Sequence, residues 1–132
     1  MNAAIKASDY KVMILDDIPV NTRLLQKILE KEGFRLSIFN NSIQALEAIN
    51  EIMPDILLLD VMIPGIDGLT FLKQIRSNSI FDNTRVIMVS AVSESEEVAK
   101  AREIGANDYV TKPVNYSNLI NCIYNQIKQL QK

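Results

Sequence analysis

Leu57-Leu58-Leu59-Asp60 is a run of large apolar side chains that stops on a carboxylate. The loop Val61-Met62-Ile63-Pro64-Gly65-Ile66-Asp67-Gly68 follows it. This feature constrains the fold more tightly than any other. An uninterrupted apolar run reads as a strand buried on both faces, as occurs in parallel sheets covered by helices on each side. In open sheets of that kind, ligands bind just beyond the carboxyl ends of the strands. Asp60 is therefore expected at the mouth of a site.

The rest of the chain supplies the partners of that strand. Val12-Met13-Ile14-Leu15 is a second apolar run, ending on Asp16-Asp17, and Val86-Ile87-Met88-Val89 is a third, ending on Ser90. Phe34, Leu36 and Ile38 alternate with Arg35 and Ser37, the pattern of a half-exposed edge strand. Tyr109-Val110 is a short fifth strand before Thr111-Lys112-Pro113. Helical spacing appears between the strands. It is carried by Val20, Leu24, Leu25, Ile28 and Leu29, with Gly33 as a stop, and by Ile43, Leu46 and Ile49. It recurs at Leu69, Leu72 and Ile75, with Phe71 beside them, and from about Asn115 at Leu119, Ile120, Ile123, Ile127 and Leu130. Ser93-x-x-Glu96 reads as a capping box opening a fourth helix. That helix has only the thin stripe Val98, Ala101 and Ile104, so it is expected to be weakly held. Asp67 beside Gly68 reads as an N-cap with a structural role.

Five strands alternating with five helices predict a single-domain α/β fold: a five-stranded parallel sheet with helices on both faces. Its natural strand order is the flavodoxin-like 2-1-3-4-5. One domain over residues 1–132, with its core at about 11–131, suits the length. No segment is apolar enough to span a membrane, and the first ten residues lack the apolar stretch of a signal peptide. The net charge of -2 argues against direct nucleic-acid binding. The single cysteine, Cys122, fits a reducing cytoplasm and reads as a helix residue without chemistry. The chain has no histidine, which removes Ser-His-Asp and Cys-His catalysis and the commonest metal ligand.

In that sheet Asp16, Asp17, Asp60, Ser90 and Lys112 share one edge. Crowded carboxylates repel: two unit charges about 4 Å apart cost about 4 kcal/mol at an effective dielectric of about 20. Lys112 offsets part of this, and a hard divalent ion, Mg²⁺ by cellular default, offsets more. Without sulfur or imidazole donors, soft metals are disfavoured. Such a site suits phosphoryl transfer with a carboxylate as in-line nucleophile and Ser90 as a hydroxyl donor.

From about Lys11 to Gln131 the chain resembles the receiver domain of two-component response regulators. The landmarks are Asp16-Asp17, Leu59-Asp60 with Pro64-Gly65 and Asp67-Gly68, Ser90-Ala91, Gly105-Ala106, Tyr109 and Lys112-Pro113. The resemblance implies that Asp60 accepts a phosphoryl group from the phosphohistidine of a sensor histidine kinase or histidine phosphotransfer protein. It further implies that Asp17, Asp60 and the Met62 carbonyl ligate Mg²⁺, with Asp16 acting through water. Lys112 would pair with the phosphoryl group, Ser90 would stand as switch hydroxyl and Tyr109 as a switch aromatic that turns inward. The Lys112-Pro113 bond would be cis. Apolar Met62 and Val92, at positions that tune water access in this family, imply slow self-dephosphorylation. A homodimer through the face of the fourth helix, fifth strand and fifth helix is a further expectation.

Other readings fit less well. A flavodoxin-type cofactor binder would meet Asp16-Asp17 where it needs a phosphate cradle. A carboxylate phosphatase would want an acid where Met62 stands. A phosphorylation-independent receiver-like adaptor would not require the acidic site. The segment 16–21 with Leu24-Leu25 resembles receivers of diguanylate cyclases or hybrid kinases more than those of winged-helix DNA-binding regulators. Asn107 in place of Asp points the same way. Ile120, Ile123, Ile127 and Leu130 fit a core face or a coiled-coil seam continuing into an output domain.

Overall fold

The computed structural model describes residues 5–130, so the expected end of the core at Gln131 lies outside the described residues. Five strands, β1 (Lys11–Leu15), β2 (Arg35–Phe39), β3 (Ile56–Leu59), β4 (Arg85–Ser90) and β5 (Asp108–Thr111), form one sheet in the order β2-β1-β3-β4-β5. Every pairing is parallel. Five helices alternate with them: α1 (Pro19–Glu32), α2 (Ser42–Ile52), α3 (Gly68–Arg76), α4 (Ser95–Ile104) and α5 (Tyr116–Leu130).

Strand alternation divides the core in two. Met13, Leu15, Leu57, Leu59, Val86 and Met88 point to the face covered by α2, α3 and α4, where they meet Ala45, Ile49, Phe71, Leu72, Ile75 and Ala101. Their neighbours Val12, Ile14, Ile56, Leu58, Ile87 and Val89 point to the other face and pack on Leu25, Leu29, Leu119, Ile123 and Ile127 of α1 and α5. The three central strands are therefore apolar at successive positions, as the runs predict. β2, at the edge, is only half-buried.

Two expectations change in the folded chain. In α1 the sheet is met by Leu25 and Leu29, whereas Val20 and Leu24 are exposed at 62% and 43%. Adjacent helical positions differ by about 100° in direction, so Leu24 and Leu25 cannot both face one sheet. The capping box at Ser93 does not form. α4 begins at Ser95 with Glu94 as its cap and no side-chain capping bond. The preceding segment is held instead by Val92, whose N–H donates to Ser90 Oγ and whose carbonyl accepts from the Tyr109 hydroxyl. In α5, Leu119, Ile123 and Ile127 are buried against the sheet, so this stripe serves as a core face. α4 itself buries Ala101 alone, in keeping with its thin stripe.

The ends of α3 and α1 follow their sequence signals. Asp67 caps α3 by accepting from Thr70 N at 3.0 Å. Gly33 closes α1 at φ +101°, a conformation that glycine adopts without a Cβ penalty. The bond to Thr70 N–H holds the Asp67 carboxyl below its ordinary value of 3.8. Asp67→Ala should cost about 1 kcal/mol in denaturant unfolding at neutral pH. The wild-type advantage should hold above pH 3.8 and fade as the pH falls through the lowered folded-state value.

Candidate functional site

The parallel order brings the carboxyl ends of β1, β3, β4 and β5 together. Asp16 and Asp60 are buried there, and Asp17 beside them is exposed. One carboxylate oxygen from each of the three lies within 4.8 Å of the others. Lys112, just beyond β5, reaches across the sheet edge. Its Nζ donates to Asp16 Oδ2 at 2.8 Å and to Asp60 Oδ2 at 2.7 Å. The remaining oxygens are held locally: Ile18 N donates to Asp16 Oδ1 at 2.9 Å, and Met62 N to Asp60 Oδ1 at 3.1 Å. Burial alone would push the Lys112 ammonium towards losing its proton. The bonds to Asp16 and Asp60 outweigh burial, so its pKa lies above the ordinary lysine value.

This donor set fits a hard divalent cation. Three carboxylates and one ammonium leave an excess of negative charge around oxygen donors only, which suits Mg²⁺ or Ca²⁺. Asp16, Asp17 and Asp60 are the groups that could hold it.

Ser90 is fully buried at the end of β4, and its Oγ accepts from Val92 N at 3.2 Å. Tyr109 is half-buried. It packs against the cluster beneath α2, α3 and α4, and donates its hydroxyl to the Val92 carbonyl. Burial pushes the Tyr109 hydroxyl pKa up, and the neighbouring Ser90 pulls it back in part. Lys112-Pro113 is cis. Cys122 donates to Asp108 Oδ2 at 2.8 Å, and burial followed by that carboxylate pushes its thiol up to about 12.

Three further residues support the site, and two of them, Arg76 and Ser42, carry no sequence signal. Gly68 opens α3 directly beneath Asp60: a Cβ there would lie 2.2 Å from the Asp60 carbonyl oxygen. Arg76, at the end of α3, donates to the carbonyls of Gly105, Phe81 and Thr84 and to Asn107 Oδ1, at 2.7–2.9 Å. It thereby fixes the turn leading into β5, which carries Tyr109 and leads to Lys112. Ser42, buried at the start of α2, bonds to the loop after Asp60. Arg76 and Ser42 depend on contacts distant in sequence.

Residues 12–124 match the family model described as the response regulator receiver domain. The chain is 39% identical over 114 residues to the transcriptional regulatory protein CseB of Streptomyces avermitilis, covering 86% of this chain and 47% of the relative. It is 33% identical over 110 residues to the DNA-binding response regulator MtrA of Mycolicibacterium smegmatis, covering 83% and 47%. The chain thus spans about half the length of the curated relatives it matches. Among solved structures, the receiver domain of the Francisella response regulator 1452 superposes with a TM-score of 0.86 at 30% identity, over 92% of this chain and 99% of that one. The receiver domain of a histidine kinase from Syntrophus aciditrophicus shares the fold with a TM-score of 0.85 at 24% identity, over 93% of each chain.

Two predictions follow from the packing and the charge balance. Gly68→Ala should destabilise the fold by about 1–3 kcal/mol in denaturant unfolding, because the methyl must displace the Asp60 backbone. Lys112→Met should lower stability at neutral pH by leaving Asp16 and Asp60 unpaired. The wild-type advantage should persist below pH 10.5 and shrink as the pH rises through the raised folded-state value of the lysine. Urea unfolding of both proteins across that range checks it.

Proposed function

This chain belongs to the response regulator receiver domain family of two-component systems, and we propose that Asp60 is its phosphoryl acceptor in a Mg²⁺-dependent reaction. The observation that carries this reading is the Lys112 ammonium bonded to both Asp16 and Asp60, with the Asp17 carboxylate beside them. A carboxylate oxygen of Asp60 attacks the phosphorus of a phosphohistidine on a sensor histidine kinase or histidine phosphotransfer protein. The P–N bond breaks, the imidazole leaves, and an acyl phosphate forms on Asp60.

The chain's own groups serve this transfer by position and charge. Lys112 shifts part of its bonding from Asp60 to the incoming phosphoryl oxygens, which carry the charge of the transition state. Asp17, Asp60 and the Met62 carbonyl would hold the cation, with Asp16 acting through water. When bound, Mg²⁺ neutralises the phosphoryl oxygens. Ser90 gives up its bond to Val92 N–H and donates to the phosphoryl group instead. Val92 also anchors the Tyr109 hydroxyl, so this exchange reaches Tyr109 and the start of α4 directly. α4, with Ala101 as its one buried residue, is the element best able to move. The face of α4, β5 and α5 is the proposed readout surface and homodimer contact.

Residues 1–132 are read as one receiver domain, acting as a switch and not as a classical enzyme. No described helix is long and apolar enough to cross a membrane, and we place the chain in the cytoplasm. With its net charge of -2, the receiver is proposed not to contact nucleic acid itself. What reads the switch is open to either kind of output: relatives are named as DNA-binding regulators, and a fold neighbour belongs to a histidine kinase.

Asp60→Asn should abolish phosphoryl uptake from acetyl phosphate with Mg²⁺ on a phosphate-affinity gel, while wild type shifts. An adaptor that works without phosphorylation would show no shift in either protein. Met62 and Val92 offer no side-chain hydrogen bond to an attacking water, so the acyl phosphate should persist for hours. Met62→Asn should shorten its lifetime in intact-mass time courses.

A further inference from the structure

We infer that Ser42 is a positioning residue for the cation site, fixing the loop that presents the Met62 carbonyl. The inference rests on the reading that Asp16, Asp17, Asp60 and that carbonyl hold a divalent ion. Ser42 opens α2, and its side chain is completely buried. Its hydroxyl donates to the Pro64 carbonyl at 2.9 Å and accepts from Ile66 N–H at 2.5 Å. Its backbone N–H also donates to the Pro64 carbonyl, at 3.2 Å.

One buried hydroxyl therefore spans the turn from Pro64 to Ile66. Gly65 makes this possible. It sits at φ +96°, and a Cβ there would stand 2.6 Å from Ser42 Oγ. The loop is otherwise lightly fastened. Met62 N–H bonds to Asp60 Oδ1 at one end, Gly68 N–H to the Val61 carbonyl at the other, and Ile63 is the side chain it buries. Met62 itself is 68% exposed, so no packing of its side chain holds its carbonyl in place.

Mg²⁺ demands near-ideal octahedral geometry, so a carbonyl ligand on a lightly fastened loop needs outside support. Groups behind metal ligands commonly alter affinity 10- to 100-fold when removed. The sequence offers no hint of this, because Ser42 lies 22 residues from Pro64 and reads as an ordinary helix start.

The test is Mg²⁺ affinity measured by calorimetry on the full chain, for wild type, Ser42→Ala, Gly65→Ala, Asp17→Asn and Ala45→Gly. Ala45 is buried on the same helix and forms no bond to the loop, so its variant softens α2 without touching the turn. Ser42→Ala should weaken binding about tenfold or more, and Ala45→Gly should keep wild-type affinity. Gly65→Ala, on the exposed side of the turn, pushes a methyl against the same hydroxyl and should weaken binding similarly. It decides the matter if Ser42→Ala does not fold. Wild-type affinity in Ser42→Ala or Gly65→Ala, with binding lost in Asp17→Asn, would overturn the role of Ser42 alone. Equal losses in Ser42→Ala and Ala45→Gly would also overturn it, by assigning the effect to α2 as a whole. Wild-type affinity in Asp17→Asn would instead remove the cation site on which the inference rests.

Discussion

A single ammonium group set between two buried carboxylates organises this molecule. Lys112 arrives from beyond β5, Asp16 from the end of β1 and Asp60 from the end of β3, and no two of them are close in sequence. They meet because β1, β3, β4 and β5 are consecutive neighbours in a parallel sheet. That sheet exists because its central strands are apolar on both faces and helices cover each face. The ion pairs are a constraint more than a source of stability, since desolvating such groups offsets most of their attraction. What they fix is charge. With Asp17 added, the cluster keeps a negative excess that a divalent cation can offset.

Rigid and movable parts are separated along the chain. The acidic residues stand on or beside strands whose side chains are fully buried, so their geometry is set by the core. The groups proposed to respond stand on weaker ground. Ser90 and Tyr109 are both tied to Val92, on the segment that replaces the expected capping box. α4 follows that segment with one buried residue, while Arg76 pins the turn after it through Gly105 and Asn107. This arrangement favours movement at the start of α4 over movement at its end.

Much of this was legible in the sequence. The apolar runs of β1, β3 and β4 each end on a polar side chain, so strand order alone places Asp16, Asp60 and Ser90 on one edge. The N-cap at Asp67 and the stop at Gly33 are local signals, and both hold. What the sequence hides depends on contacts distant along the chain. Periodicity cannot distinguish Leu24 from Leu25 until the direction of the sheet is known. A capping box at Ser93 is a sound local pattern, but the Val92 N–H bond to Ser90 Oγ and the Tyr109 hydroxyl bond to the Val92 carbonyl hold the segment instead. Ser42 and Arg76 look like unremarkable helix residues, because the loop carbonyls they bind are 22 and 29 residues away.

The central claim is that Asp60, and neither neighbouring carboxylate, carries the phosphoryl group. Borohydride reduces an aspartyl phosphate to homoserine, so the acceptor can be read directly by peptide mass spectrometry after treatment with acetyl phosphate. Homoserine at position 60 alone, formed with Mg²⁺ and absent without it, is the predicted result. Homoserine at position 16 or 17, or none at any position under conditions where the protein is folded and Mg²⁺ is bound, would contradict it.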